Sequence, residues 1–158
     1  MNTISDNRNG TAIFAERVQK NLEFIVASAA DGQDVHPVTQ AVSSLLGIIV
    51  FPWEHSAFDW MKRQKLPVLA QQQGWPRWSM SGTRRVLAVG GLVHVLRNAV
   101  AHGRIEFDSD SRDPSQVQIT FTNVSEGSKV ADWQGHIQAD QLVAFCRCFT
   151  CGMKNLVD

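Results

Sequence analysis

Apolar residues between Thr11 and Ala30 return every three or four positions, at Phe14, Val18, Leu22, Ile25 and Ala29, before Asp31-Gly32 interrupts the pattern. That spacing predicts an amphipathic helix whose stripe faces a core. Pro37 suits a first helical turn. From it a second helix is predicted, carrying Val38, Val42, Leu45, Leu46, Ile49 and Val50 on one side and ending at Pro52. The stretch Trp53–Ser81 has no single period and holds four of the five tryptophans; a short helix is expected around Ser56–Gln64. Thr83–Ala101 reads as a central helix closing at Gly103, the residue type expected just past a helix end. Its Gly90-Gly91 pair weakens helix propensity, so close packing against another helix is the expected compensation. The period then changes to two. Ile105 and Phe107 flank Glu106, and Val117, Ile119 and Phe121 alternate with Gln118 and Thr120 across the turn-rich Asp108–Ser115. This predicts an antiparallel hairpin, with a third strand around Val130–Ile137. A last amphipathic helix starts at Asp140, with Leu142, Phe145, Cys146 and Phe149 on its apolar face. The fold class expected is mainly α: about four main helices, with a small antiparallel β-hairpin or meander before the last.

The chain has 158 residues, enough to bury a real core, and one domain over residues 1–158 is expected. Its longest apolar stretch, Leu45–Pro52, is too short to cross a bilayer, and the polar Met1–Thr11 does not read as a secretory signal. Three cysteines, all within Cys146–Cys151, make a poor disulfide framework and fit a reducing cytoplasm. Net charge is zero, yet the charge is unevenly placed. Between Trp60 and Ile105 stand Lys62, Arg63, Lys65, Arg77, Arg84, Arg85, Arg97 and Arg104, with no Asp or Glu. A purely cationic window in a neutral chain points to a local site for a polyanion.

Inside that window lies Arg97-Asn98-Ala99-Val100-Ala101-His102. Residues four apart share a helical face, so Asn98 and His102 line up, with His94 near the same line. A His at a helix C-terminus feels the negative end of the dipole, which favours its protonated form. Arg97 supplies a permanent planar cation suited to phosphate. Metal-free RNA cleavage needs a base for the 2′-hydroxyl, an acid for the leaving oxygen and a cation for the phosphorane. One Arg and one His barely cover these roles. Two copies across a two-fold axis cover them, so a homodimer is expected.

Leu96-Arg97-Asn98-Ala99-Val100-Ala101-His102-Gly103 resembles the R-N-x-x-x-H signature of the HEPN superfamily, in which the motif ends a long helix and an extended segment follows. The wider layout is similar to a bacterial and plasmid-borne HEPN branch, through Ser43-Ser44-Leu45-Leu46-Gly47 leading to Phe51-Pro52 and through the hairpin before the last helix. The resemblance implies a HEPN-like helical bundle and a metal-independent endoribonuclease with a composite site in a dimer. Arg97 would bind phosphate, Asn98 orient and His102 transfer protons; the cationic window, and not the resemblance, marks Arg84, Arg85 and Arg104 as the expected RNA-binding residues. The resemblance implies no metal or other cofactor. It also implies a setting in toxin–antitoxin or antiphage systems, with an antitoxin or regulatory protein as a further partner. The alternative implied is a non-catalytic HEPN domain that binds RNA, a nucleotide or a partner protein. One toxin branch carries a Tyr two residues after the His, modified by its antitoxin. Here Arg104 stands there and the chain has no Tyr, so a different control mechanism, or none, is expected.

Other signals are weaker. Cys148-Phe149-Thr150-Cys151 is one knuckle where a structural zinc site uses two, so Cys146, Cys148 and Cys151 read as free, buried thiols. Asp108–Asp113 lacks both the Gly and the closing Glu of a calcium loop and reads as a solvated turn. The middle tryptophans, interleaved with Lys62, Arg63, Lys65 and Arg77, read as core before they read as a stacking platform for bases.

Overall fold

The computed structural model describes residues 3–53, 58–72 and 74–155, with side chains from residue 10 in the first helix and up to residue 50 in the second. Helix α1 spans Thr3–Ala30 and α2 spans Pro37–Trp53. Two one-turn helices follow, α3 (Asp59–Lys62) and α4 (Leu66–Leu69), then strand β1 (Ser79–Ser81) and helix α5 (Val89–Ala101). Strands β2 (Ile105–Phe107), β3 (Gln118–Val124) and β4 (Ala131–Gln138) lead directly into α6 (Ala139–Lys154). The chain is mainly helical, as its periodicity predicts. No helix among the described residues is long and apolar enough to cross a membrane.

The β part is larger than a hairpin with a neighbour. Four strands form one antiparallel sheet in the order β1-β4-β3-β2, with Ser79–Ser81 pairing against β4 from the far side. A three-residue edge strand, Ser79-Met80-Ser81, is too short to show a period, which is why the middle stretch conceals it. One sheet face is buried through Ile119, Phe121, Asn123, Trp133 and Ile137; the other carries Thr120, Thr122, Gln134 and His136. The buried face receives α5, and α1, α2 and α6 pack beside it around Leu22, Leu45, Ile49, Leu92, Leu96 and Leu142.

Several boundaries move for physical reasons. The central helix begins at Val89 and not at Thr83, because the preceding backbone is spent elsewhere. Arg84 N–H donates to the Asp132 carbonyl (2.9 Å), Leu66 N–H to Leu87 (2.9 Å) and Val89 N–H to Gln64 (2.9 Å). Helix α1 starts earlier, at Thr3, and buries Ala12, Ala15, Gln19 and Leu22; Phe14 is exposed and Ile25 half-buried. On α2 the core residues are Val38, Ala41, Leu45, Ile48 and Ile49, while Val50 faces outward. The short helix expected at Ser56–Gln64 is α3, and residues 56 and 57 lie outside the described residues. Gly90 does permit close packing: a Cβ there would stand 3.1 Å from the Lys62 carbonyl oxygen at the end of α3.

The expectation that the middle tryptophans are core holds in part: Trp75 and Trp78 are half-buried against the core, and the side chain of Trp53 lies outside the described residues. Trp75 and Trp78 both meet Phe145 edge-on, with centroids 5.9 and 5.5 Å apart, and Trp133 is buried; Trp60 remains exposed. Cys146 is buried and its thiol is pushed up to about 12 by desolvation, but Cys148 is half-buried and Cys151 exposed, so the three do not share one environment. Asp108–Asp113 forms a turn held by its own side chains: Ser111 N–H donates to Ser109 Oγ (3.1 Å) and Gln118 N–H to Asp108 Oδ1 (2.7 Å).

Candidate active site at the end of the central helix

The C-terminal end of α5 closes as a Schellman motif. Gly103, at φ +63°, lets its own N–H reach Val100 O (3.1 Å) and Arg104 N–H reach Ala99 O (2.8 Å). The motif leaves His102 as the exposed C-cap residue and turns Arg104 back toward the sheet, where its carbonyl accepts from Thr122 N–H (3.0 Å). Local sequence therefore sets the places of two of the expected site residues before any tertiary contact forms.

A cavity of about 510 Å³ opens between this helix end and the β3–β4 turn, lined by Arg84, His94, Asn98, His102, Arg104 and the turn residues Ser125–Ser128 among others. Four expected residues thus surround one space: Asn98, His102, Arg84 and Arg104. Arg97 and Arg85 are not on its wall. Arg97 is half-buried one helical step round from Asn98, and its charge still reaches His94. Arg85 is exposed.

His94 has no role in the motif, although its spacing from Asn98 places it on the same line. Its imidazole is held below the usual histidine range, first by desolvation and then by the Arg84 and Arg97 charges, against the opposing pull of Asp132. His94 is consequently neutral near pH 7 and able to accept a proton. Between the free imidazole value and its own lower one, the unfolded chain binds more protons than the folded chain, so acidification through that window costs stability. An NMR titration is expected to give His94 a midpoint below 6.5, rising when an RNA oligonucleotide is added. A midpoint above 6.5 in the free protein would contradict this electrostatic account.

Behind the wall lies a set of hydrogen bonds that the motif does not reveal. Asn98 Nδ2 donates to Asn123 Oδ1 (3.1 Å), and Asn123 Nδ2 donates to Asp132 Oδ1 (2.6 Å). Ser125 Oγ also donates to the Asp132 carboxylate, and Arg84 approaches it at 3.6 Å. Desolvation alone would raise the Asp132 carboxyl, but the hydrogen bonds from Ser125 and Asn123 and the Arg84 charge hold it below the usual carboxylate range. The cationic window is therefore partly compensated: Arg84 pairs with Asp132, and Lys62 with Asp59 at 3.0 Å. The one sequence signal for this network is an Asn in place of an apolar residue on the inward face of β3, after Ile119 and Phe121. The linear pattern does not say that Asn123 is fully buried.

No group of three or more His, Cys, Asp or Glu among the described residues is arranged to hold a metal ion. Chemistry at this cavity would draw on two imidazoles, two guanidinium groups, an amide, the Glu126 carboxylate and the hydroxyls of Ser125 and Ser128. No curated protein and no solved structure matches the chain significantly. The family model described as HEPN pEK499 p136 matches residues 1–157, and with the R-N-x-x-x-H motif closing α5 beside this cavity the chain belongs to that plasmid-borne branch of the HEPN superfamily.

Proposed function

We propose that this protein is a metal-independent endoribonuclease acting through Arg97, Asn98 and His102 at a composite site in a homodimer. The observation that carries the reading is the cavity in which Asn98 and His102 of the motif meet Arg84, Arg104 and His94. Guanidinium groups suit the phosphodiester, and imidazoles suit the proton transfers. His94 and His102 stand eight residues apart, about 12 Å along the helix. Both line the same cavity, which would hold the phosphodiester. His94, neutral, would take the 2′-hydroxyl proton, and His102 would supply one to the departing 5′-oxygen.

Arg97 supports the dimeric form of the reading. Its offset from Asn98 suits a phosphate shared between two copies of α5 better than one sunk in a single cavity. The exposed position of His102 at the helix end leaves it accessible to a second copy. Arg85 would add an RNA contact outside the cavity. Since Arg104 stands where a modified Tyr is found in one toxin branch, restraint by an antitoxin or regulatory partner would work by contact and not by modification at that position. A toxin–antitoxin or antiphage role belongs to the same proposal.

The test is purified protein with mixed cellular RNA in excess chelator. Cleavage should continue undiminished while a DNA of equal length stays intact. Cutting that stops on chelation would reject the mechanism; RNA binding without cutting would favour the non-catalytic alternative.

A further inference from the structure

The network behind Asn98 has a direction. A carboxylate only accepts hydrogen bonds, so the Asn123 side chain must turn its Nδ2 toward Asp132. Its Oδ1 then faces Asn98, which must answer with Nδ2. Each amide orientation follows from the one behind it, and the sequence of constraints starts at Asp132. With one Nδ2 hydrogen given to Asn123, Asn98 keeps its carbonyl oxygen, beside a second N–H, for a molecule bound in the cavity that it lines.

The backbone is built to place that carboxylate. The β3–β4 ladder pairs Asn123 with Trp133 but Val124 with Ala131, so Asp132 is an extra residue at a register shift. Such a bulge re-aims one side chain out of the strand's alternation. Here it directs Asp132 to Asn123 and Ser125, which lie on either side of Val124. The segment before α5 then locks the bulge from outside, through Arg84 N–H on the Asp132 carbonyl (2.9 Å) and the Arg84 guanidinium on its carboxylate.

We infer that Asp132, acting through Asn123, is a positioning residue that holds the Asn98 carbonyl oxygen as a hydrogen-bond acceptor for the 2′-hydroxyl of a ribose next to the one that is cut. The inference rests on the RNA-directed reading of the cavity and deepens it, since the acceptor would select ribose over deoxyribose. The depressed carboxyl of Asp132 agrees with it, because the carboxylate form persists throughout the neutral range.

Asp132→Asn tests this with little change of shape. An amide at 132 can either accept from or donate to Asn123, so both orientations of Asn123 and Asn98 become possible. In a His102→Ala background, which keeps RNA uncut, binding of oligouridylate is compared with that of its 2′-deoxy counterpart. The parent should prefer the ribose form about three- to tenfold, the range expected of one hydrogen bond. Asp132→Asn should abolish that preference, whereas Ser125→Ala, which leaves the Asn123 bond in place, should keep it. Side-chain amide NMR signals of Asn98 and Asn123 should likewise be single in the parent and doubled or broadened in Asp132→Asn. A folded Asp132→Asn protein with unchanged preference, or a parent with none, would overturn the inference. If preference is lost as expected while the wild-type protein cuts no RNA, the ribonuclease reading fails and the positioning role stands.

Discussion

Replacing His102 by alanine is expected to lower RNA cleavage by a factor of about a hundred to ten thousand, the usual contribution of a positioned proton donor. The loss should be larger if two copies of His102 serve one dimeric site. The fold should survive, since His102 is an exposed C-cap residue outside the core and Gly103 alone supplies the left-handed turn that ends the helix. Arg97→Lys should also fail, because a point charge does not replace a planar fork that holds two phosphate oxygens. Circular dichroism and melting curves like those of the wild type, together with rates measured at saturating RNA, check both expectations. A folded His102→Ala protein that cuts at the wild-type rate would remove His102 from the chemistry.

The largest structural effect is expected at Gly82. Its φ of +110° is one that other residues adopt only with strain, and a methyl group there would run into the Asp132 carbonyl oxygen. Gly82→Ala should therefore cost about 2–3 kcal/mol or more, combining backbone strain with the clash. For a domain of this size that lowers the melting temperature by roughly 2–4 °C per kcal/mol. Gly32, at φ +82° with nothing within 4 Å of the place a methyl group would take, is the control for backbone strain alone. Gly32→Ala should cost less, and the difference measures the contact between the segment before α5 and the bulge at Asp132. Because that contact holds Arg84 and Asp132 together, Gly82→Ala should also weaken RNA binding where Gly32→Ala does not. Equal melting temperatures for the two variants would contradict the packing described here.

The helix that carries the motif is legible because its apolar residues repeat with the helical period and Gly103 marks its end. Its beginning is not. Thr83–Ala88 has helix-compatible residues, but backbone groups of this segment and of Val89 bond to Gln64, Leu66 and Asp132, partners far away in sequence. The buried stripe of α1 departs from the pattern of large apolar residues for a related reason. Small residues such as Ala12 and Ala15 face the core where helices approach closely, and the larger Phe14 and Ile13 lie outside it. Asn98 and His102 can be paired from their spacing alone. The partners Asn123 and Asp132 cannot, because one depends on which strand face is buried and the other on a bulge, which has no period. His94 sits in plain view on the motif's own face; what the spacing does not supply is the company of Arg84, which comes from another segment.

The most direct test of the ribonuclease account is the chemistry of the cut ends. RNA incubated with the purified protein in excess chelator is expected to yield fragments with 5′-hydroxyl and 2′,3′-cyclic phosphate termini, because the 2′-oxygen attacks phosphorus while the 5′-oxygen leaves with a proton. Kinase should label the new 5′ ends without prior phosphatase, and the 3′ ends should resist extension until the cyclic phosphate is removed. Fragments ending in 5′-phosphate and 3′-hydroxyl would mean that water or a metal-bound hydroxide is the nucleophile, and would contradict the account.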